Sequence, residues 1–116
     1  MRPGIDPDVL KRLLGNDPEL ARDVVEDFLP AAQAAIAEIR AAVDDGLPEH
    51  VKGASHKLKG SASLVGAHRL IDLCAELESA AEDGNWEEIH RLSAGLDEIM
   101  ADIERSAAAF LRPAAG

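Results

Sequence analysis

Apolar residues recur at helical spacing along almost the whole chain of 116 residues. The clearest run lies near the C-terminus, where its members are three or four residues apart: Ile89, Leu92, Leu96, Ile99, Ile103, Ala107 and Phe110. This is the period of an amphipathic α-helix and not the alternation of a half-buried strand. Because aromatic residues are only 3% and hydrophobic residues 47%, the core must consist mostly of Ala, Leu, Ile and Val. The pattern predicts an all-α protein with closely packed helices.

Short start and stop motifs divide this pattern into helices. Asp6-Pro7 and Asp17-Pro18 each offer an N-cap followed by proline at the first helical position. Asp-Gly turns at 45–46 and 83–84, together with a C-cap at Gly66, separate the later helices. These motifs predict a short helix over 9–14, a long one from 18 to about 44, and three more over about 48–65, 67–82 and 86–111.

Pro30 lies inside the long second helix, which either kinks there or is split in two. A kink is favoured because no other turn residue accompanies Pro30. At the last helix, Asn85 and Glu88 are spaced as a capping box. The predicted fold is an antiparallel up-down-up-down four-helix bundle with a short additional N-terminal helix. Residues 1–116 form a single domain, with short flexible tails at about 1–5 and 112–116.

The charge balance is strongly acidic, with a formal net charge of −10. Like charges would meet if the chain bound nucleic acid or an anionic membrane surface, so neither is expected. A protein partner with a basic docking surface is permitted. Because no apolar run approaches the roughly 18 residues of a membrane span, and the N-terminus lacks a signal-peptide core, we expect a cytoplasmic protein.

Cysteine and histidine use is sparse. Cys74 is the single cysteine, which excludes an internal disulfide, and it is expected to be a small buried hydrophobe. His50, His68 and His90 are expected to be merely solvated, and no metal site is predicted, because one histidine–carboxylate pair does not make a site.

One histidine stands in different surroundings. Three of the four lysines, Lys52, Lys57 and Lys59, lie within eight residues of sequence around His56. On a helix, the face of His56 also carries Gly53, Gly60 and Ser63, whereas Val51, Ala54, Leu58, Ala62 and Val65 form the opposite, apolar stripe. Each glycine costs about 1 kcal/mol relative to alanine inside a helix, and what it provides is room for close approach. An accessible imidazole beside ammonium groups suits a phosphoryl group.

The stretch 55–62, Ser-His-Lys-Leu-Lys-Gly-Ser-Ala, followed by Leu64-Val65-Gly66-Ala67 and the pair Leu77-Glu78, resembles the histidine phosphotransfer (HPt) domain of two-component phosphorelays. The resemblance covers roughly residues 5–111. It implies that His56 accepts a phosphoryl group from the aspartyl phosphate of a receiver domain, in a response regulator or a hybrid histidine kinase, and passes it to another receiver aspartate.

The resemblance also implies roles for the neighbours of His56. Lys59 would stabilise the charge of the phosphoryl oxygens, and Gly60 would let the receiver come close. Lys52, Gly53, Lys57 and Ser63 are assigned to partner binding by position alone; for Ser63, a merely small side chain is the favoured interpretation. The domain would be a monomer with no ATP site and no cofactor, since the receiver brings Mg²⁺.

Three alternatives stay open. The phosphoacceptor domain of a histidine kinase would follow its histidine with an acidic residue and typically Thr-Pro, whereas Lys57 follows here. A helical adaptor would bind a partner without phosphoryl chemistry. The phosphoacceptor domain of chemotaxis kinases has a similar core but is normally attached to much more protein, and this chain is expected to be complete from Met1. Donor, acceptor and direction of flow cannot be inferred from the sequence.

Overall fold

The structure is a computed structural model that describes residues 4–112. Within them, six helical segments follow one another without a strand: α1 (Pro7–Leu14), α2 (Pro18–Asp44), α3 (Pro48–Val65), α4 (His68–Glu82), α5 (Trp86–Ala94) and α6 (Leu96–Leu111). The all-α prediction is confirmed. No helix in this part of the chain is long and apolar enough to cross a bilayer.

The first two helices begin where their Asp-Pro motifs predict. The carboxylate of Asp6 accepts a hydrogen bond from the Asp8 amide at 3.0 Å, and that of Asp17 accepts one from the Leu20 amide at 3.1 Å. In both cases the following proline occupies the first turn, where no amide hydrogen is needed. Local capping chemistry therefore sets these two boundaries.

Helix α2 is the longest element and runs through Pro30 without interruption. Its 27 residues correspond to roughly 40 Å of helix. The alternative of two separate helices meeting at Pro30 is therefore excluded. Pro30 is exposed, while Phe28 and Ala32 on either side of it are buried. Burial of that apolar stripe against α3 and the C-terminal helices holds the segment together despite the missing hydrogen bond.

Helices α3 and α4 form a hairpin that carries the His56 stretch. Gly66 ends α3 in the left-handed conformation, with φ of 64°, and its amide donates to the Ala62 carbonyl. The two helices are antiparallel, because Lys52 near the start of α3 pairs with Glu82 at the end of α4, while Lys59 pairs with Glu78. The hairpin thus fixes which α4 residues stand beside His56.

The last predicted helix is divided at Gly95. The Gly95 amide donates to the Leu92 carbonyl at 3.0 Å, three residues back, and this tight turn separates α5 from α6. The capping box is only half formed: Asn85 accepts from the Glu88 amide, but the Asn85 amide donates to the Ala80 carbonyl. Glu88 pairs instead with Arg91.

The N-terminal tail is shorter than predicted. Ile5 is 1% exposed and its amide donates to the Ser106 hydroxyl at 3.2 Å. The Asp6 amide donates to the Val65 carbonyl at 2.8 Å. Gly4 is also buried, against Ser106. Burial of Ile5 thus ties this segment to the end of the hairpin; the rest of the predicted tails, residues 1–3 and 113–116, lies outside the described residues.

Candidate functional site

The two faces predicted for α3 are separated in the structure. Its apolar stripe is buried throughout: Val51, Ala54, Leu58, Ala62 and Val65. His56 lies on the opposite side, with 75% of its side chain exposed. The packing of the stripe therefore fixes the rotation of α3 and turns the imidazole outward.

One carboxylate of α4 meets both candidate catalytic side chains. Glu78 Oε1 lies 3.3 Å from His56 Nδ1 and 3.1 Å from Lys59 Nζ. The Glu78 side chain is only 18% exposed, and Oε1 itself is closed off from solvent. Both contacts have ion-pair distance without hydrogen-bond alignment. Glu78 thus connects the imidazole and the ammonium from beneath.

The contact with Glu78 distinguishes the two ring nitrogens of His56. A carboxylate oxygen 3.3 Å from Nδ1 favours the tautomer that carries its proton there, because the negative charge attracts an N–H group and repels a nitrogen lone pair. Nε2 then keeps its lone pair. In a side chain that is 75% exposed, that nitrogen is available to a group approaching from outside.

The other two lysines do not form the free basic patch that the sequence suggested. Lys52 Nζ lies 3.7 Å from Glu82, and Lys57 Nζ lies 3.6 Å from Glu38 on α2. With Lys59 on Glu78, three lysines therefore face three glutamates, and the surroundings of His56 are electrically balanced. The acidic partners come from α2 and α4, so spacing along α3 could not reveal them.

The two glycines leave open space beside the histidine. A Cβ added at Gly53 or Gly60 would meet nothing within 4 Å. Packing within the domain therefore does not require glycine at either position. The Ser63 hydroxyl donates a hydrogen bond to the Lys59 carbonyl at 2.9 Å. This contact lies within α3, so the side chain is satisfied without a partner protein.

The surface differs on the two sides of His56. Towards α4 stand the charged side chains Lys59, Glu78 and the Lys52–Glu82 pair. Towards α2 stand the open position of Gly60, Leu64, which is 54% exposed, and the Lys57–Glu38 pair. Leu64 borders a hollow of about 240 Å³ between α2 and α3.

The remaining histidines do not join the site. His50 and His90 are exposed on other parts of the surface. His68, expected to be merely solvated, instead pairs with the capping carboxylate of Asp6 through Nε2 at 3.1 Å. This contact was missed because Asp6 is distant in sequence and reaches His68 only when the N-terminal segment packs against the hairpin.

Cys74 lies one turn before Glu78 on α4 and is fully buried, as predicted. Burial raises the pKa of its thiol to about 12, and the negative charge of Glu78 contributes in the same direction, while Lys59 opposes it. The thiol is therefore kept neutral beneath the site and is not a nucleophile at ordinary pH.

Glu78 is the residue that sequence reasoning did not place in the site. The pair Leu77-Glu78 was noticed only as part of a resemblance, with no role for the carboxylate. Leu77 is fully buried, which orients α4 and places Glu78 at the edge of the α3–α4 interface. The sequence offered one indication of this placement: Glu78 is a charged residue next to an apolar leucine, on the helix that follows the histidine helix.

Comparisons with known proteins show the family of the chain. Residues 23–105 match the Hpt domain family. Because this match covers most of the chain, the protein belongs to that family and functions in histidine phosphotransfer, as an intermediate in a phosphorelay.

The fold is similar to that of histidine-containing phosphotransfer protein B (HptB) from Pseudomonas aeruginosa PAO1, a crystal structure. The TM-score is 0.86 at 22% sequence identity, over 94% of this chain and 95% of that one. At this identity the likeness supports the fold alone. No match was found among curated protein sequences.

Proposed function

We propose that His56 Nε2 is the phosphoacceptor. It receives a phosphoryl group from the aspartyl phosphate of one receiver domain and passes it to the aspartate of another. The observation that carries this proposal is the position of Glu78 beside Nδ1 of a histidine side chain that is 75% exposed. An in-line acceptor must present a lone pair, and a tautomer protonated on Nδ1 presents one at Nε2.

In the transfer step one bond forms and one bond breaks. The Nε2 lone pair forms a bond to phosphorus, while the bond between phosphorus and the aspartyl oxygen breaks and its electrons return to the receiver carboxylate. No proton needs to move, because the Nδ1 proton stays on the ring. The ring consequently gains positive charge, and the carboxylate of Glu78 stands where that charge develops.

Lys59 is the proposed partner of the phosphoryl oxygens. It lies one turn after His56 on the same side of α3, and its side chain is 31% exposed, so the ammonium can move towards the surface. Reaction chemistry beyond this is assigned to the receiver, which supplies the aspartate and Mg²⁺. We propose that the domain itself has no ATP site and no metal cofactor.

We further propose that the receiver approaches over the α2 side of His56. On the α4 side, two ion pairs lie close to His56, Lys52–Glu82 and Lys59–Glu78, and a partner that covered them would have to remove their water, whereas the α2 side carries the pair Lys57–Glu38. On the α2 side, the open positions of Gly53 and Gly60 let another backbone come close, and Leu64 offers apolar contact. Lys57 pairs with Glu38 on the α2 side, and we propose that it contacts the receiver and not the phosphoryl group.

We infer that the helices form an antiparallel bundle with α1 added at one end. Its four long members are α2, α3, α4 and the α5–α6 pair. Connections of two or three residues between α2 and α3, α3 and α4, and α4 and α5 favour neighbouring antiparallel helices. We propose a monomer acting in the cytoplasm, with a receiver domain or a hybrid histidine kinase as partner.

The test is phosphoryl transfer from a panel of phosphorylated receiver domains to the wild type and to His56→Gln. We expect label on the wild type that is acid-labile and alkali-stable, and no label on the variant. His50→Gln, at an exposed position on the same helix, is the matched control and should accept label normally. Label on His56→Gln would contradict the assignment, and a folded wild type that no receiver labels would favour the adaptor.

A further inference from the structure

The ion pair between Lys57 and Glu38 connects α3 to α2 beside His56. Lys57 Nζ lies 3.6 Å from Glu38 Oε1, and the two side chains are 69% and 53% exposed. The distance is longer than that of a hydrogen bond, and ion pairs as exposed as this one add little to stability. The stability of the fold therefore gives little reason for these two charges to face each other at this position.

The residues around this pair are all small. On a helix, the neighbours of a side chain on the same face lie three and four residues away in either direction. For Glu38 these four positions, 34, 35, 41 and 42, are all alanine. The neighbours of Lys57 are glycine, alanine or serine: Gly53, Ala54, Gly60 and Ser61. Two long charged side chains consequently stand on a surface of small ones, where a docked protein would meet them first.

A domain that phosphorylates His56 must cover this pair. Lys57 follows His56 directly in the chain, so their Cα atoms are about 3.8 Å apart. Glu38 faces Lys57 from α2, the side over which the receiver is proposed to approach. The receiver would remove water from both charges, and this loss is unfavourable unless the receiver offers an opposite charge to each of them.

We propose that the Lys57–Glu38 pair selects and orients the receiver domain. The partner that it fits carries an acidic side chain opposite Lys57 and a basic side chain opposite Glu38. The inference rests on the proposed function, because it takes a receiver as the partner of His56. Lys57 and Glu38 are then specificity determinants that contact the partner and not the reacting atoms.

The direction of the pair gives the docked receiver a single orientation. Its positive end is on α3 and its negative end is on α2, so the line between the two charges passes from one helix to the other. A receiver rotated by half a turn about its axis of approach would place like charges opposite each other, which is repulsive. In-line phosphoryl transfer requires one orientation, and the pair disfavours the reversed one.

The test is a charge swap that combines Glu38→Lys with Lys57→Glu. It keeps an ion pair between α2 and α3 but reverses its direction, which a merely structural pair tolerates and a pair matched to a partner does not. The control swap combines Arg40→Asp with Asp97→Arg, at an exposed ion pair of 2.5 Å that joins α2 to α6.

Each protein is assayed for phosphoryl transfer from the same panel of phosphorylated receiver domains. A second assay uses phosphoramidate, whose nitrogen–phosphorus bond breaks and releases ammonia as the bond to His56 forms, so that no receiver is involved. Urea denaturation compares the stability of the variants with that of the wild type.

We expect the swap to lower kcat/KM about tenfold or more for the receiver that labels the wild type fastest, and to lower it less for the slower receivers. Labelling by phosphoramidate and stability to urea should stay near the wild-type values, and the control swap should transfer normally. The loss should shrink as the salt concentration rises, because salt screens exposed charges. An unchanged kcat/KM, or a loss that salt does not reduce, would overturn the proposal.

The single variants Glu38→Lys and Lys57→Glu provide a second comparison. Each should lower transfer from the fastest receiver, and the combined swap should not restore it; restoration by the swap would show that the pair acts only within the domain. Equal transfer from receivers to the wild type and to the swapped protein would keep His56 as the acceptor but remove the pair from docking. Labelling of the wild type by phosphoramidate and by no receiver would instead contradict the proposed function, and with it the partner assigned to the pair.

Discussion

Replacing Gly66 by alanine tests whether the end of α3 is held by backbone conformation alone or also by contact with the N-terminal segment. Gly66 and Gly84 have nearly the same left-handed conformation, with φ of 64° and 65°. A Cβ at Gly84 would meet nothing within 4 Å, whereas at Gly66 it would lie 2.7 Å from Asp6 Cβ and 2.8 Å from a methyl of Val9. The two sites differ in crowding and hardly in strain.

The expected losses follow from this difference. A left-handed alanine costs about 1–2 kcal/mol, which is all that Gly84→Ala should lose. Gly66→Ala adds the cost of pushing α1 away from the hairpin, for which overpacking gives about 1–3 kcal/mol more. The assay is urea denaturation of both variants, with amide hydrogen exchange to show that α1 loses protection in Gly66→Ala only. Equal losses in the two variants, or full protection of α1 in Gly66→Ala, would refute the reasoning.

Three further results are expected. Lys59→Ala should lower the rate of phosphoryl acceptance from a receiver about tenfold or more, because a charge-assisted contact is lost. The variant should stay folded, with some loss of stability to urea because Glu78 loses its ammonium neighbour. Unchanged transfer kinetics would remove Lys59 from the site. Gly60→Leu should keep the helicity of the wild type, since the added side chain points into open space, but it should block docking of the receiver. Ala109→Leu, at an exposed position on α6, is the control and should be phosphorylated normally. Normal phosphorylation of Gly60→Leu would contradict the argument that the receiver comes close at this position. Because burial raises the pKa of the Cys74 thiol from 9.0 to about 12, the neutral thiol contributes fully to stability below pH 9, and this contribution is lost as pH rises towards 12. Between pH 8 and 11 the free energy of unfolding should therefore fall more steeply in the wild type than in Cys74→Ala, by up to about 1.4 kcal/mol per pH unit. Parallel curves for the two proteins would argue against the burial of the thiol.

Local chemistry explains what the sequence could predict. Asp6, Asp17 and Gly66 act on the backbone within a few residues, so the sequence predicts the starts of α1 and α2 and the end of α3. The rotation of α3 followed from the period of its apolar stripe, and this placed His56 outside. The fold class and the exposed histidine were therefore both within reach.

Contacts between helices explain what was missed. The approach of Glu78 to His56 depends on the register of the α3–α4 hairpin, and the partner of Lys57 depends on the neighbouring α2. Neither distance is encoded in spacing along one helix. The burial of Ile5 likewise depends on Ser106, which is 101 residues away. Tertiary register converted a predicted cluster of free lysines into three ion pairs.

Both described ends of the chain meet at one end of the molecule. The Ile5 amide bonds to Ser106, the Asp6 amide to Val65, and Arg22 to the Leu111 carbonyl at 2.8 Å. Val65 is nine residues beyond His56, roughly 13 Å along α3. Contacts of the described chain ends and the proposed phosphoryl chemistry of His56 therefore use separate parts of the surface.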